Sequence, residues 1–257
     1  MVDFSREITH TKYKYEKQLK KYYHRVEKRL HIFPNELNGN ENDKWGKDKY
    51  ALIKAWYVDS NFITIPRKGA FTSIFVGGIC WFLIISGLFS DDTFEGFGLY
   101  AFIFLCTLAV FFTIYYFTKP KKEQILNRRD GLITMTGFYW QKNITIPFND
   151  CLFAYSTGGE DGTGAFMLEA IRPTTSKLNS YADFNMGQGD CYKSMSFICW
   201  YMDKNRPLPP GTAFDEFRDK DYERRKAVGF PRPLYPGIST PEATKVQQKE
   251  RETIGGW

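Results

Sequence analysis

Two uncharged apolar runs constrain what this chain can fold into more than any other feature. Residues 70–90 read AFTSIFVGGICWFLIISGLFS and residues 98–118 read GLYAFIFLCTLAVFFTIYYFT, with no Asp, Glu, Lys or Arg in either. A helix rises about 1.5 Å per residue, so each run is long enough to cross a hydrocarbon core about 30 Å thick. The connection Asp91-Asp92-Thr93-Phe94-Glu95-Gly96-Phe97 holds acids and no Lys or Arg. This pattern predicts a transmembrane helical hairpin, residues 70–118, with most of the chain outside it. Averages hide the feature: mean hydropathy is −0.41, because the apolar content is concentrated in two windows.

The hairpin divides the 257 residues into a basic N-terminal arm (1–69), the hairpin (70–90 and 98–118), a following region (119–203) and a tail (204–257). The first thirty residues are highly charged and lack an apolar core, so no cleavable secretory signal is expected and the first span serves as the insertion signal. Arg67 and Lys68 precede the first span, and Lys119, Lys121, Lys122, Arg128 and Arg129 follow the second. The positive-inside rule then predicts a multi-pass protein with both termini cytoplasmic. Five cysteines and no C-x-x-C pair agree with a reducing side, and all three histidines lie in the N-terminal arm. Neither a metal site nor any other cofactor is expected.

Within the spans, Ser73 and Gly77 stand four apart and Gly78 follows, a small-residue face that lets a second helix approach closely. The short turn makes the second span its expected partner; the same face would also serve a homo-oligomer. Apart from two thiols the spans carry no ionisable group, which argues against a pump or transporter.

The arm contains TKYKYEKQLKKYYHRVEKRL at 11–30, with eight Lys/Arg and an apolar stripe Tyr15, Leu19, Tyr22, Val26, Leu30 at helical spacing. The favoured reading is a helix whose stripe packs on its own cytoplasmic domain; the alternative is a helix lying on anionic lipid. Lys17, Lys20, Lys21 and Arg25 are the candidate binding residues here, joined by Arg128 and Arg129 after the spans. Nucleic acid is not expected, because anionic headgroups are the nearer polyanion.

After the second span the rhythm changes to period two. Strands are predicted at 124–126, 132–136, 138–140, 144–148, 151–155, 166–171 and 181–185, with Asp130-Gly131 supplying a turn of positive φ. Asp190 is expected to cap a helix at 191–202. The fold class that follows is an α+β membrane protein: a two-helix hairpin and an antiparallel β-sheet domain closed by one amphipathic helix. The tail holds seven of the chain's twelve prolines. Helices are expected over 214–228 and from Thr240, and whether the tail docks is left open. Its two P-x-x-P stretches read as stiff linker lying on the domain in preference to ligands for a partner groove.

Two further clusters carry weaker chemistry. GGEDGTG at 158–164 lacks the lysine and hydroxyl of a phosphate loop and reads as a hairpin loop. Asp150, Glu160, Asp161, Glu169 and Asp183 could pair for acid–base work, but scattered acids on a sheet are usually solvated. No catalytic residue is assigned, and the protein is not expected to be an enzyme.

Four segments carry a family resemblance. They are Val58–Lys68, Leu126-Asn127-Arg128-Arg129-Asp130-Gly131-Leu132, Ile146-Pro147-Phe148-Asn149-Asp150-Cys151, and the helix ending at Tyr201-Met202 before prolines. Val58 to Pro210 thereby resembles a family of bacterial inner-membrane proteins with two spans and a small β-rich cytoplasmic domain of unassigned function. Phe148 stands for the family's usual Trp and Cys151 for its usual Leu. The sheet-then-helix order also looks like the pleckstrin-homology-like fold. Members of the family are often encoded beside polymorphic toxins and type VI secretion effectors. The resemblance therefore implies an immunity or accessory protein, in the manner of a toxin–antitoxin pair, that binds a toxin or effector protein from the membrane. A membrane scaffold or anionic-lipid-sensing module is the alternative.

Overall fold

The structure is a computed structural model and describes residues 3–11, 13, 24–38, 57–67, 70–89, 96–158, 166–173, 181–184 and 186–257. The chain is α+β and divides into two compact units, residues 1–66, 123–136 and 143–257 in one and residues 67–122 and 137–142 in the other.

The larger unit is built on two sheets. One has the order β2-β3-β4-β5-β6, formed by Tyr57–Val58, Phe62–Arg67, Lys122–Asn127, Leu132–Met135 and Ile144–Pro147. The other has the order β1-β7-β8-β9, formed by Arg25–Val26, Phe153–Tyr155, Leu168–Ile171 and Tyr181–Asp183, all antiparallel. Side-chain alternation explains the pairing of β5 with β6. Ile133 lies opposite Ile146 and Met135 opposite Ile144, all buried, while the hydroxyls of Thr134 and Thr145 meet at 2.8 Å. Thr9 covers the free edge of β6, its backbone N donating to Thr145 O at 2.9 Å. That contact uses up an edge that would otherwise template foreign strands.

Helix α3, Cys191–Met202, closes the core, with the Asp190 carboxylate accepting from Lys193 N at 2.8 Å as its N-cap. The expected amphipathic stripe is wider than its periodicity implied. Ten of the twelve residues are buried, while Tyr192 is exposed against the His31 ring. Elements on several sides of the helix bury a face that, on a surface helix, would be polar. Another expectation is corrected at the end of the arm. Residues 24–30 are not helical: Arg25–Val26 is strand β1, paired to β7, and Leu30 bridges Gly237. Val26 and Leu30 are buried as the stripe predicted, but a strand added to a sheet edge buries them equally well. Lys17, Lys20 and Lys21 lie outside the described residues.

The tail docks on this unit. After a short 3-10 turn come α4, Asp215–Ala227, and α5, Lys245–Gly255. The second helix starts later than expected, at the capping box of Thr244 and Gln247. The proline stretches are consumed internally: Pro207 O accepts from Trp200 Nε1 at 2.7 Å and Pro236 O from Leu30 N at 2.9 Å.

The smaller unit holds α1, Ala70–Gly87, and α2, Gly96–Thr118. Cys80, Ile84 and Ala109 form their shared core, and Trp81 Nε1 donates to Thr113 Oγ1 at 3.1 Å. The outward faces expose Phe75, Phe82, Phe97, Phe104 and Phe117. By length and composition, α2 is the one helix among the described residues able to cross a membrane; Ile74–Gly87, within α1, counts as a shorter apolar helix. Residues 138–140, expected as strand, are instead a turn belonging to this unit. Its Trp140 donates to Thr118 Oγ1 at 2.6 Å, and Tyr139 and Trp140 pack their rings on Phe111 and Tyr115.

Candidate anion-binding site

The turn Asn127-Arg128-Arg129-Asp130-Gly131 sorts two adjacent arginines to opposite fates. Asn127 closes it, with Oδ1 accepting from Asp130 N at 2.9 Å and Nδ2 donating to Asp130 Oδ2 at 2.7 Å. That amide is the main cause holding the Asp130 carboxyl below its ordinary value. Gly131 takes φ +69° and lets the chain reverse into β5. Arg128 is turned inward and is 3% exposed, while Arg129 stays exposed over the Phe62 ring.

Arg128 enters a buried ladder of alternating charge. Its Nη1 meets Asp221 Oδ1 at 2.8 Å, and its Nη2 donates to the carbonyls of Asp203 and Arg206. Asp221 also meets Arg225 Nε at 2.9 Å and Arg224 Nη2 at 2.9 Å. Arg225 forms a two-pronged pair with Glu242 at 2.7 and 2.8 Å, Glu242 meets Arg251 at 3.1 Å, and Arg251 stacks on the Trp257 ring at 4.2 Å. Burial pushes the Asp221 carboxyl up, but Arg128, Arg225 and Arg224 outweigh it and hold the group below its ordinary value.

Helix α4 positions two faces at once. Asp221 and Arg225, four apart, form the stripe that enters the ladder; Lys220 and Arg224, also four apart, form the neighbouring stripe and stay exposed. The second stripe faces a cavity of about 430 Å³ on the larger unit. Its wall carries Arg128, Arg129, Lys204, Lys220 and Arg224 against the single acid Asp221, with Ser60 and Asn61 completing it. Lys204 Nζ is held by Arg129 O at 2.6 Å and Arg224 Nη2 by Lys204 O at 2.5 Å. Arg128 Nε is buried with no hydrogen-bond partner among the described residues. An array of fixed cations in a concave, partly desolvated surface attracts and orients anions.

Of the described residues singled out as binding candidates from sequence, only Arg128 and Arg129 meet here. Arg25 is exposed on β1 and does not line the cavity. Ser73 lies on α1; a Cβ on Gly77 would stand 3.4 Å from Phe112 Cβ, whereas one on Gly78 would meet open space. Glu169 and Asp183 are brought opposite each other on β8 and β9, and burial, then the Asp183 charge, raises the Glu169 carboxyl. Glu160 and Asp161 lie outside the described residues. Cys151 is buried in the core, its thiol pushed up to about 12 by burial, which suits packing and not nucleophilic chemistry. Lys204, Lys220, Asp221 and Arg224 were missed. Lys204 carries no sequence signal; for the other three it is the paired i, i+4 spacing of Lys220 with Arg224 and of Asp221 with Arg225 in a stretch too polar to suggest burial. Comparison of the chain with protein-family models, curated proteins and solved structures gives no match.

Proposed function

We propose that this chain is a non-enzymatic, membrane-anchored binding protein that holds an anionic partner in the pocket of its larger unit. The observation that carries the reading is the pocket wall itself, five Lys/Arg against one Asp around about 430 Å³. Occlusion of a partner needs buried area and complementary charge, not a reacting group.

The anchor is the α1–α2 pair, crossing twice with both termini cytoplasmic. Support comes from the exposed apolar faces of both helices and from the ring cluster of Tyr115, Tyr139 and Trp140, with Lys119 Nζ 5.7 Å from the Tyr115 ring centre. Aromatic and basic groups gathered at one end of an apolar helix mark a lipid–water interface. The family resemblance makes a toxin or effector protein the first candidate partner, and the chain an inner-membrane immunity or accessory protein.

The test is co-expression with the product of the adjacent reading frame. The intact chain is expected to protect growth, and K220E/R224E is expected to lose protection while still reaching the membrane. Protection by K220E/R224E equal to that of the intact chain would contradict the reading. The alternative, a module sensing anionic lipid, is favoured by the same wall of cations if the occupant is a headgroup.

A further inference from the structure

We infer that the group the pocket accepts is phosphoryl, as in a phosphate monoester, in preference to a carboxylate. This inference rests on the reading of the cavity as a binding site and goes on to name its ligand chemistry.

Charge is the first argument. The wall carries five cations. Among the described residues three acids form ion pairs with them: Asp221 in the wall, with Arg128 and Arg224, and Asp3 and Asp130 beside Arg129 at 3.4 and 3.5 Å. Counting all three still leaves two positive charges over. A carboxylate supplies one negative charge, whereas a phosphate monoester carries about −1.5 to −2 near neutral pH and matches the excess. Asp3 and Asp130 are both exposed, so water and salt screen them from Arg129 and their opposition is weak.

Geometry is the second. The wall already has its carboxylate. Asp221 spends its two oxygens on Arg128, Arg224 and Arg225, so the planar partner for those guanidiniums comes from the chain itself. The polar groups of the wall come from separate segments: the loop holding Ser60 and Asn61, the Arg129 turn, Lys204 beyond α3, and the Lys220–Arg224 stripe of α4. Donors arriving from several directions suit the three oxygens of a tetrahedral group better than the two of a planar one. The Lys220 ammonium has no hydrogen-bond or ion-pair partner among the described residues, and an exposed cation of that kind is available to a ligand.

Size and lining are the third. About 430 Å³ exceeds what one phosphoryl group fills and lies within the range of small-molecule sites. No aromatic ring lines it among the described residues, so a nucleobase would find no stacking surface. The ligand that fits is a phosphorylated polyol or sugar. A glycerophosphate lipid headgroup and a soluble ester share this chemistry.

The experiment is calorimetric titration of the full chain in phosphatidylcholine nanodiscs with glycerol 3-phosphate, and with succinate as a dicarboxylate of similar charge. Saturable binding of glycerol 3-phosphate at least about tenfold tighter than succinate is expected, a difference of about 1.4 kcal/mol. K220E should weaken it by about tenfold or more, the scale of one charge-assisted hydrogen bond, at unchanged melting temperature, and R224Q should weaken it at least as much. K249E, the same charge change on α5 away from the wall, should leave it unaltered. Succinate binding as tightly, glycerol 3-phosphate failing to saturate, or K249E weakening it as much as K220E would each overturn the inference. The first of these leaves an anion-binding protein whose partner is acidic, so the broader reading survives it. Adding phosphatidic acid to the nanodiscs separates the sources: loss of glycerol 3-phosphate binding identifies the lipid headgroup as occupant, and unchanged binding identifies a soluble ester. Either result supports the phosphoryl assignment.

Discussion

At the scale of single residues, the decisive event is the burial of Arg128 beside Asp221. Taking two charges out of water costs several kcal/mol, and their attraction roughly offsets that cost, so the pair adds little net stability. Removing one partner is different, because the other is left buried and uncompensated. Asp221→Asn is therefore expected to destabilise the larger unit by about 3–5 kcal/mol, read as a fall in the midpoint of thermal or urea unfolding. The pH dependence has a definite sign. The folded carboxyl lies below its ordinary value of 3.8, so its contribution is complete above that value and fades as pH falls through the lowered one. The stability gap between D221N and the parent should be constant from neutral pH down to about 5 and shrink below 3.8. A gap that narrows already between neutrality and that point would contradict the assignment. The turn that carries Arg128 and Arg129 was legible in the sequence because Asp-Gly announces it locally, but the inward fate of Arg128 was not. Asp221 was not, because it stands 93 positions away and pairing at that distance leaves no local pattern.

At the scale of elements, the β-strands and helix α3 were legible because alternation, an Asp cap and a Gly turn are local signals. The failures have a common cause. Arg25–Val26 and residues 138–140 each have a local preference that a neighbour in space overrides, β7 in one case and α2 in the other. The tail was the hardest to read. Its helices are polar all round in sequence, and the charges that look solvated are the ones that enter the ladder. Two glycines separate local from long-range control. At Gly131 an added Cβ meets open space, so Gly131→Ala should cost only the left-handed backbone penalty, about 1–2 kcal/mol. At Gly237, φ +131°, the same atom would stand 2.2 Å from Leu30 O, where the tail bridges the strand-bearing segment. Gly237→Ala should therefore lower the melting temperature clearly more than Gly131→Ala, and equal effects would show that the Leu30–Gly237 bridge contributes little.

At the scale of the whole molecule, the division of labour follows from composition. Apolar residues gathered in 70–118 leave a chain of net charge +6 whose other parts must build their own core, and they do so with two small sheets around α3. That core recruits the end of the arm and the whole tail, and the recruitment of α4 is what assembles the pocket. The two apolar helices were visible from sequence as two uncharged runs; the pocket was not, since it exists only where four distant segments meet. Binding at the pocket has biological meaning for a membrane-tethered receptor only if the larger unit and both chain ends lie on one side of the bilayer. Topology reporters fused after residue 257, before residue 1 and within residues 91–95 test that claim directly. The account predicts cytoplasmic signals from both ends and an exported signal from the 91–95 fusion; an exported signal from either end, or a full-length product that leaves the membrane fraction without detergent, would contradict it.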